Sequence, residues 1–434
     1  MCIHFRAYLL ADKKVGQIVV CIALLGIFLL IGCRGRVSDP GSMFNTDHYG
    51  DASYMYSDDI LKHVIEKNQE FTVISVPNNL NNSGSVPAGD LNELLDTVWY
   101  VPLETTNLSA IGSINKVRVY KGHIYIMDLQ TGLLLMFDSK GAFVRVIGAR
   151  GRGPTEYLGL NYFEIIDDEI ALVDGAGKKV IYYTLEGEFL HELDFPLRVS
   201  SFYPLNDEII VADIDGNANF HLPQIVESKI VFFDRSWRIV GQAFPYDPLA
   251  EAGTSFYFRS VFKDTPGGLL YNPTFDYHIY SFGEGRLFKK YYVDVGDNKL
   301  KEGFRKGLSQ EQFLQDYSPF TSYFTNYFET DRHVALTLYI NNRQTVVYYS
   351  KISGRIIAAS HLLPSPLLPY LNRPIGLYDN NFIMMLAARE LRALAEQLKN
   401  DPASPTFSPD IMTLFKNADL HDNPILVFYR LKSF

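Results

Sequence analysis

The chain contains, in succession, the segments HIYIMD (His123–Asp128), LLLMFD (Leu133–Asp138) and AFVRVIG (Ala142–Gly148). A turn, Ser139–Gly141, joins the last two segments, and Gly adopts the positive φ that tight hairpin turns require. Runs of aromatic and β-branched residues separated by such turns are typical of antiparallel strands. This unit therefore predicts a small antiparallel sheet.

The same unit recurs along the chain. Its turn position is occupied in five copies by Gly141, Gly187, Ser236, Gly285 and Gly354, which lie 46, 49, 49 and 69 residues apart. Four-stranded propeller blades repeat every roughly 40–50 residues, and an insertion accounts for the longer last interval. The pattern predicts an all-β chain folded as a β-propeller of four-stranded antiparallel blades.

The sixth copy is split between the two ends of the domain. Asn380–Ala387 and Pro424–Lys432 supply two of its strands, and Thr97–Leu103 supplies the missing outer strand. Pairing the first strand with the last closes the ring and removes open sheet edges. We therefore predict a six-bladed propeller over residues 95–434 whose last blade is closed by the N-terminal strand.

Two segments do not fit the blade pattern. Val295–Tyr317 is charged, with helical propensity from Ser309 onward, and Ala388–Lys399 is an amphipathic helix with Leu391 on its apolar face. We interpret both as small helical insertions packed against the ring. The alternative is a lid or a helix that docks a partner.

The first 32 residues predict a secretion signal, because basic residues precede the apolar run Val15–Gly32. The run ends in Leu30–Cys33 (LIGC), which resembles the end of bacterial lipoprotein signals, and the resemblance implies that Cys33 is acylated and becomes the first mature residue. The alternative is an uncleaved transmembrane anchor. Residues 33–70 are polar and predict a flexible tether, followed by a lead-in segment over residues 71–94.

The cysteine content and the net charge exclude several classes of function. The three cysteines are Cys2, Cys21 and Cys33, so a chain cleaved before Cys33 keeps that one thiol and forms no internal disulfide. Cysteine-based catalysis and thiolate metal sites are therefore excluded. The net charge of −9 becomes about −11 after cleavage. A protein of that sign is a poor general partner for nucleic acid.

The run from Val101 to Leu193 resembles a known family. VPLETT (Val101–Thr106), FDSKGAFVRVIG (Phe137–Gly148) and GRGPTEY (Gly151–Tyr157) are similar to segments of six-bladed β-propeller lipoproteins common in Bacteroidetes. Thr155 departs from the family's usual GxGPGEY at one Gly. The resemblance implies the propeller fold and a lipid anchor in the cell envelope, at the outer membrane. It does not distinguish the periplasmic face of that membrane from its outer face. The chain resembles NHL-type propellers more distantly, and these host binding modules as well as lyases and hydrolases.

The loop Gly148–Tyr157 joins one blade to the next, on the face where propellers gather binding loops. Guanidinium donors, a carboxylate and an aromatic ring make it a candidate binding site, and comparable between-blade loops carry further arginines. The candidate ligand-binding residues are Arg150, Arg152, Glu156, Tyr157, Arg198, Arg259 and Arg373. The alternative is that these arginines are solvated or bridge neighbouring blades.

Metal and cofactor signals are weak. Asp213–Asn219 (DIDGNAN) has oxygen ligands at alternate positions, but Gly stands at the fourth place and Gln224 at the twelfth, so a polar hairpin loop is the better interpretation. No two histidines have the spacing of a local metal pair. A metal site in the channel, assembled from residues of several blades, is the alternative that remains. We predict no cofactor and no metal from the sequence.

These observations predict a ligand-binding or protein-interaction module of the envelope, with an anionic glycan or an envelope protein as partner. The alternative is an enzyme, a lyase or hydrolase acting on glycans or lactones in the central channel. An enzyme requires convergent titratable groups or a metal there, whereas a binding module requires only shape and donors. Catalytic residues cannot be assigned from the sequence.

Overall fold

Six antiparallel sheets of four blade strands each surround a central channel, as the repeat predicts. The computed structural model describes residues 52–63, 65–66, 70–77, 89–153, 155–215, 219–245, 261–283, 286–300, 322–340, 343–363, 365–400 and 407–434. We number the blades 1 to 6 in chain order. In blades 1 to 5 the chain runs outward from the innermost strand, so each between-blade loop returns from an outer strand to the next inner one.

The strands of the blades are, from the innermost outward, Lys116–Tyr120, His123–Asp128, Leu133–Asp138 and Phe143–Ile147 in blade 1; Leu160–Ile166, Glu169–Asp174, Lys179–Thr184 and Phe189–Asp194 in blade 2; Ser201–Pro204, Ile210–Asp213, Ser228–Phe233 and Ile239–Pro245 in blade 3; Phe262–Thr265, Gly268–Tyr271, His278–Gly283 and Arg286–Asp294 in blade 4; Ser322–Glu329, His333–Ile340, Arg343–Ser350 and Ile356–Ala358 in blade 5; and Gly376–Tyr378, Asn381–Leu386, Ile425–Leu431 and Leu95–Pro102 in blade 6.

Burial explains the composition of these strands. The second and third strands of a blade pack against neighbouring blades on both faces, so Ile124–Asp128 and Val180–Tyr183 are buried without interruption. Strands covered on both faces have continuous apolar runs rather than alternation. The outer strand Phe189–Asp194 is mostly exposed, and half of its residues are polar.

Blade 6 closes the ring in the predicted way. Leu95–Pro102 pairs antiparallel with Ile425–Leu431 and supplies the outermost strand of the last blade. The register joins Val101 to Leu426 and Tyr100 to Val427, so the two ends of the propeller are held by a full ladder of backbone hydrogen bonds.

The predicted turn glycines are confirmed in three blades and corrected in one. Gly141, Gly187 and Gly354 have φ values of +88°, +88° and +72°. In blade 3 the left-handed residue is Trp237, with φ of +60°, and not the predicted Ser236. The buried indole donates from Nε1 to the Tyr182 hydroxyl at 2.7 Å, which fixes a conformation that bulky residues rarely adopt. Gly285 lies outside the described residues.

Aspartates at the ends of second strands hold the between-blade loops. Asp128 accepts hydrogen bonds from the backbone of Gly112 and Ser113, at 2.6 and 3.2 Å. Asp174 accepts from Leu158 and Gly159 in the same way, at 2.8 and 3.0 Å. The Asp that recurs in the sequence pattern therefore satisfies loop N–H groups that the blades would otherwise leave unpaired.

A strand at Tyr56–Lys62 corrects part of the flexible tether predicted for residues 33–70, and the lead-in predicted for 71–94 also contains a strand. Tyr56–Lys62 pairs in parallel with the outer strand of blade 3, and Thr72–Ser75 pairs in parallel with the outer strand of blade 4. We call these two strands the N-terminal strap. Its backbone forms hydrogen bonds with two sheet edges. A segment with polar side chains can pair in this way because the pairing uses only backbone groups. Gly89–Asp90 then pairs with Leu362–Leu363.

In the described part of the chain, helices are few and peripheral. They comprise Leu91–Leu94, Ala388–Asn400 and Pro409–Asn417, with single 3₁₀ turns at Ser53–Met55, Gly296–Asn298 and Ala359–His361. The predicted amphipathic helix is confirmed, and Leu391 is fully buried against blade 6. Most of the second predicted insertion, residues 301–317, lies outside the described residues. Among the helices of the described chain, none has the length and apolar character needed to span a bilayer.

Candidate functional site

The loop predicted to bind a ligand is organised around its own carboxylate. Glu156 accepts a hydrogen bond from the backbone of Gly153 at 2.6 Å, and Glu156–Tyr157 pairs in parallel with Ala149–Arg150. A Cβ at Gly151 would collide with the Glu156 carboxylate, so the Gly-rich spacing serves this contact. Glu156 is therefore engaged within the loop.

Tyr157 does not offer the stacking ring that the sequence predicts. Its side chain is fully buried, and its hydroxyl donates to the carbonyl of Gly132 at 3.0 Å. Burial raises the pKa of Tyr157 to about 12. The aromatic ring thus joins blade 1 to the between-blade loop and has no face open to a ligand.

The predicted arginines lie on separate loops. Arg150, Arg152 and Arg198 are exposed, and Arg373 is half-buried, where burial lowers the pKa of its guanidinium. Arg259 and the acylation candidate Cys33 lie outside the described residues. None of the predicted residues in the described chain lines the channel cavity, and binding of an anionic ligand by these arginines stays a prediction.

The channel holds a charged cluster that the sequence analysis missed. The innermost strands of all six blades line a cavity of about 80 Å³. Its polar lining, which we call the channel cluster, comprises Asn115, Lys116, Arg118, Tyr162, Glu164, Tyr203, Lys263, Asp264 and Asn326. A signal was present in the strand KVRVY, where Lys116 and Arg118 stand two residues apart on one face and line the channel cavity.

Lys116 and Glu164 form the buried centre of this cluster. Lys116 Nζ donates to Glu164 Oε2 at 2.6 Å, to the Tyr162 hydroxyl at 2.6 Å and to the Phe163 carbonyl at 2.8 Å. Burial lowers the pKa of Lys116 to about 8, although the Glu164 carboxylate opposes that change. An ammonium has three hydrogens, and all three are donated here. Lys116 is thus a positioned cation, without a hydrogen or lone pair directed at the cavity.

Arg118 connects blade 1 to three other blades. Its Nη1 lies 3.2 Å from Asp264 Oδ2, and its Nη2 donates to the Tyr203 hydroxyl at 3.2 Å. Its Nε lies 3.5 Å from Glu164 Oε1. Burial alone would lower the pKa of Arg118, but the neighbouring carboxylates outweigh burial and raise it. The guanidinium is a permanent cation in the channel.

One buried donor in this cavity lacks an acceptor. Asn326 Nδ2 is buried and makes no hydrogen bond to the described residues, and Asn326 as a whole is 6% exposed. Arg118 Nε makes no hydrogen bond either, but it lies 3.5 Å from the Glu164 carboxylate. The Asn326 carbonyl oxygen accepts from the backbone of Tyr327, which fixes the amide with its NH₂ group unpaired. Buried donors without partners are uncommon in native proteins and indicate a bound water, ion or ligand.

The cavity lining combines three basic and two acidic side chains. Lys116, Arg118 and Lys263 are positive, whereas Glu164 and Asp264 are negative. Lys263 is 8% exposed, with its ammonium 4.5 Å from the centre of the Phe328 ring. The arrangement therefore favours an acceptor that carries negative charge.

No local metal site accompanies the cluster. The described residues contain no group of three or more His, Cys, Asp or Glu side chains placed to hold a metal ion. In the weak calcium candidate, Asp213 and Asp215 are buried, and burial together with Asp215 raises the pKa of Asp213 well above its usual range. Residues 216–218 of that loop lie outside the described chain.

A solved structure shares the fold over most of this chain. A protein of Bacteroides fragilis described as a "Putative exported protein" is 20% identical, with a TM-score of 0.70, over 83% of this chain and 100% of that chain. A member of the duf4221 family from Bacteroides vulgatus is 11% identical, with a TM-score of 0.45, over 79% of this chain and 98% of that chain. At these identities the first likeness shows the fold alone.

A search of curated proteins found no match to the sequence. The resemblance to NHL-type propellers and the acylation of Cys33 stay predictions. A family model described as "Domain of unknown function (DUF4934)" matches residues 71–430, which is most of the chain and nearly all of the propeller. The chain therefore belongs to the DUF4934 family.

Proposed function

We propose that this protein is a lipid-anchored binding module of the cell envelope that holds a carboxylated ligand, such as an acidic glycan, by inserting one carboxylate into the channel cavity. The observation that carries the proposal is the buried Asn326 Nδ2, which has no acceptor among the described residues and lies in the same cavity as the Arg118 guanidinium. A carboxylate supplies acceptors and a compensating charge together.

The size of the cavity limits what enters it. A volume of about 80 Å³ admits a carboxylate or a few waters but not a sugar ring, since one water occupies about 30 Å³ of liquid. The rest of the ligand would lie at the mouth of the channel. The exposed Arg150 and Arg152 would then contribute attraction at longer range and little affinity of their own.

Enzymatic proton abstraction, the alternative, requires a base with an available lone pair. Lys116 is the candidate with a lowered pKa, but its three hydrogens are donated to Glu164, Tyr162 and Phe163. A base that must first break three hydrogen bonds is poorly prepared for catalysis. Binding is therefore the better supported function.

Calorimetric titration of the protein with a uronic-acid disaccharide and with its neutral hexose counterpart tests the proposal. We expect the acidic sugar to bind and the neutral sugar to bind at least tenfold more weakly. Asn326→Asp keeps the shape of the side chain but adds an acceptor and a charge, so it should abolish acid-dependent binding. Arg145→Ala, which removes an exposed arginine on an outer strand, serves as the control.

Three results would contradict the proposal. Equal binding of the acidic and neutral sugars would exclude carboxylate recognition. Loss of binding in an Arg150→Ala, Arg152→Ala double variant but not in Asn326→Asp would move the ligand to the between-blade loop. Release of product during the titration would favour the enzymatic alternative.

The lipid anchor has its own test. Cells grown with a labelled fatty acid should transfer the label to the wild-type chain and not to Cys33→Ser. Label on the Cys33→Ser chain, or no label on the wild-type chain, would contradict acylation of Cys33. The proposal for the channel site would not be affected.

A further inference from the structure

A second and larger cavity lies where the N-terminal strap passes from blade 3 to blade 4. Its volume is about 420 Å³, and its apolar lining comprises Leu61 of the strap, Leu205, Ile209, Phe232 and Val240 of blade 3, and Phe282 and Leu287 of blade 4. Small-molecule sites typically measure about 300–1,000 Å³ and are lined mainly by apolar and aromatic side chains with a few polar groups. We refer to this cavity as the strap cleft.

Packing at this blade junction is uneven. At one part of the junction, aromatic side chains fill the space, with the ring centre of Phe244 4.8 Å from that of Tyr280 and 5.1 Å from that of Tyr271. At the strap cleft, Gly283 contributes no side chain and Leu61 remains 63% exposed. Apolar surface of Leu61 is thus left uncovered at this part of the junction.

Two polar side chains of the cleft, Arg286 and Asn206, present donors. Arg286 has only donors, and the Asn206 carbonyl oxygen already accepts from the backbone of Glu208 and Ile209, so its amide presents the NH₂ group. His63 packs against Phe232 with ring centres 4.2 Å apart. A ligand that fits needs a hydrocarbon body and an end group rich in acceptors.

We propose that the strap cleft is a second binding site, and that it takes a small amphiphile with a hydrocarbon body and a carboxylate head that pairs with Arg286. Glu66, which follows the first strand of the strap, pairs with Arg286 at 2.7 Å. Arg286 is 63% exposed, and an ion pair this exposed contributes little to stability, so a ligand carboxylate can replace Glu66. The site is independent of the channel cluster and of the function proposed for it.

Photo-crosslinking of the full chain in membranes tests this site directly. The probes are dodecanoate and dodecanol carrying the same diazirine group, and mass spectrometry locates the label. We expect dodecanoate to label peptides around Leu61, Leu205 and Phe282, and excess unlabelled dodecanoate to compete. Dodecanol should label these peptides at least fivefold less.

Variants separate the cleft from general apolar surface. Ile209→Trp fills the cleft and should reduce labelling at least tenfold, whereas Val144→Trp adds the same bulk at an exposed position on the outer strand of blade 1 and should not. Glu66→Gln releases Arg286 and should increase labelling, and Arg286→Gln should reduce it. The last two changes are exposed and leave the fold intact, so they test the site even if Ile209→Trp fails to fold.

Several outcomes would overturn the proposal. Label spread over the whole surface, or labelling that Val144→Trp reduces as much as Ile209→Trp does, would show non-specific contact. Equal labelling by dodecanol would exclude the carboxylate head. No response to either Glu66→Gln or Arg286→Gln would remove Arg286 from the site.

Discussion

Arg118 of blade 1 reaches across the channel to Asp264 of the opposite blade 4, with 3.2 Å between Nη1 and Oδ2. The same guanidinium lies 3.5 Å from Glu164 of blade 2. Glu164 is 1% exposed, whereas Asp264 is 46% exposed. One arginine therefore faces a buried and an exposed carboxylate, and these should contribute very differently to stability.

Isosteric changes at the two carboxylates test that difference. Glu164→Gln leaves Lys116 and Arg118 buried without their shared anion and should lower the free energy of unfolding by about 3–5 kcal/mol. Asp264→Asn removes an exposed partner and should cost less than about 1 kcal/mol. Urea unfolding followed by circular dichroism measures both, and equal losses would show that burial does not control these ion pairs.

The blades could be predicted because their sequence pattern is dictated by burial on both faces. Tyr182 and Tyr183 are both buried, since one ring faces each neighbouring blade, and the turn that follows requires Gly187 at positive φ. Ring closure by the first strand follows from the need to pair sheet edges. These constraints are local or topological, so a single sequence carries them.

The N-terminal strap could not be predicted, because its attachment does not depend on a side-chain pattern. Tyr56–Lys62 attaches through its backbone, and Asp58, Asp59 and Lys62 point to solvent, so its sequence is as polar as that of a tether. Any extended segment can add to a sheet edge in this way. The pairing leaves little trace in the side chains.

The channel cluster was missed because its members are distant in sequence. Arg118 and Asp264 are 146 residues apart, and each stands in a short inner strand that resembles an ordinary exposed one. The candidate loop Gly148–Tyr157 attracted the prediction because its Gly, Arg and Glu residues are adjacent. Its Glu156 and Tyr157 prove to hold the loop itself.

Gly141 and Gly354 provide a matched test of the closing seam. Both have positive φ, so alanine at either should cost about 1–2 kcal/mol in backbone strain. A Cβ at Gly354 meets nothing within 4 Å, whereas a Cβ at Gly141 collides with the carbonyl of Pro102 on the closing strand. Gly141→Ala should therefore lose about 1–3 kcal/mol more than Gly354→Ala in urea unfolding. Equal losses would mean that the seam moves to accommodate the methyl group.

Buried tyrosines should make the protein sensitive to alkali. Burial raises the pKa of Tyr125 and of Tyr157 to about 12, compared with about 10 in the unfolded chain. Between pH 10 and 12 the unfolded state loses protons that the folded state retains, so the free energy of unfolding falls by about 1.4 kcal/mol per pH unit for each such group. Tyr157→Phe should make the fall shallower. A pH series of urea unfolding curves measures it, and an unchanged slope in this variant would show that Tyr157 ionises normally in the folded chain.

His333 should make the protein sensitive to acid. The side chain is 1% exposed, its ring stacks on Phe434 with centres 5.0 Å apart, and Nε2 has no hydrogen-bond partner among the described residues. Burial lowers the pKa of His333 to about 4. Above pH 6.5 both states are neutral, and as the pH falls from 6.5 to 4 only the unfolded state gains the proton, which should remove about 3 kcal/mol of stability.

His333→Phe keeps the stacked ring without a titrating group, so its free energy of unfolding should fall less than that of the wild type over this range. His421→Phe, at an exposed position, should follow the wild type. Parallel acid curves for all three proteins would show that His333 takes up its proton while folded.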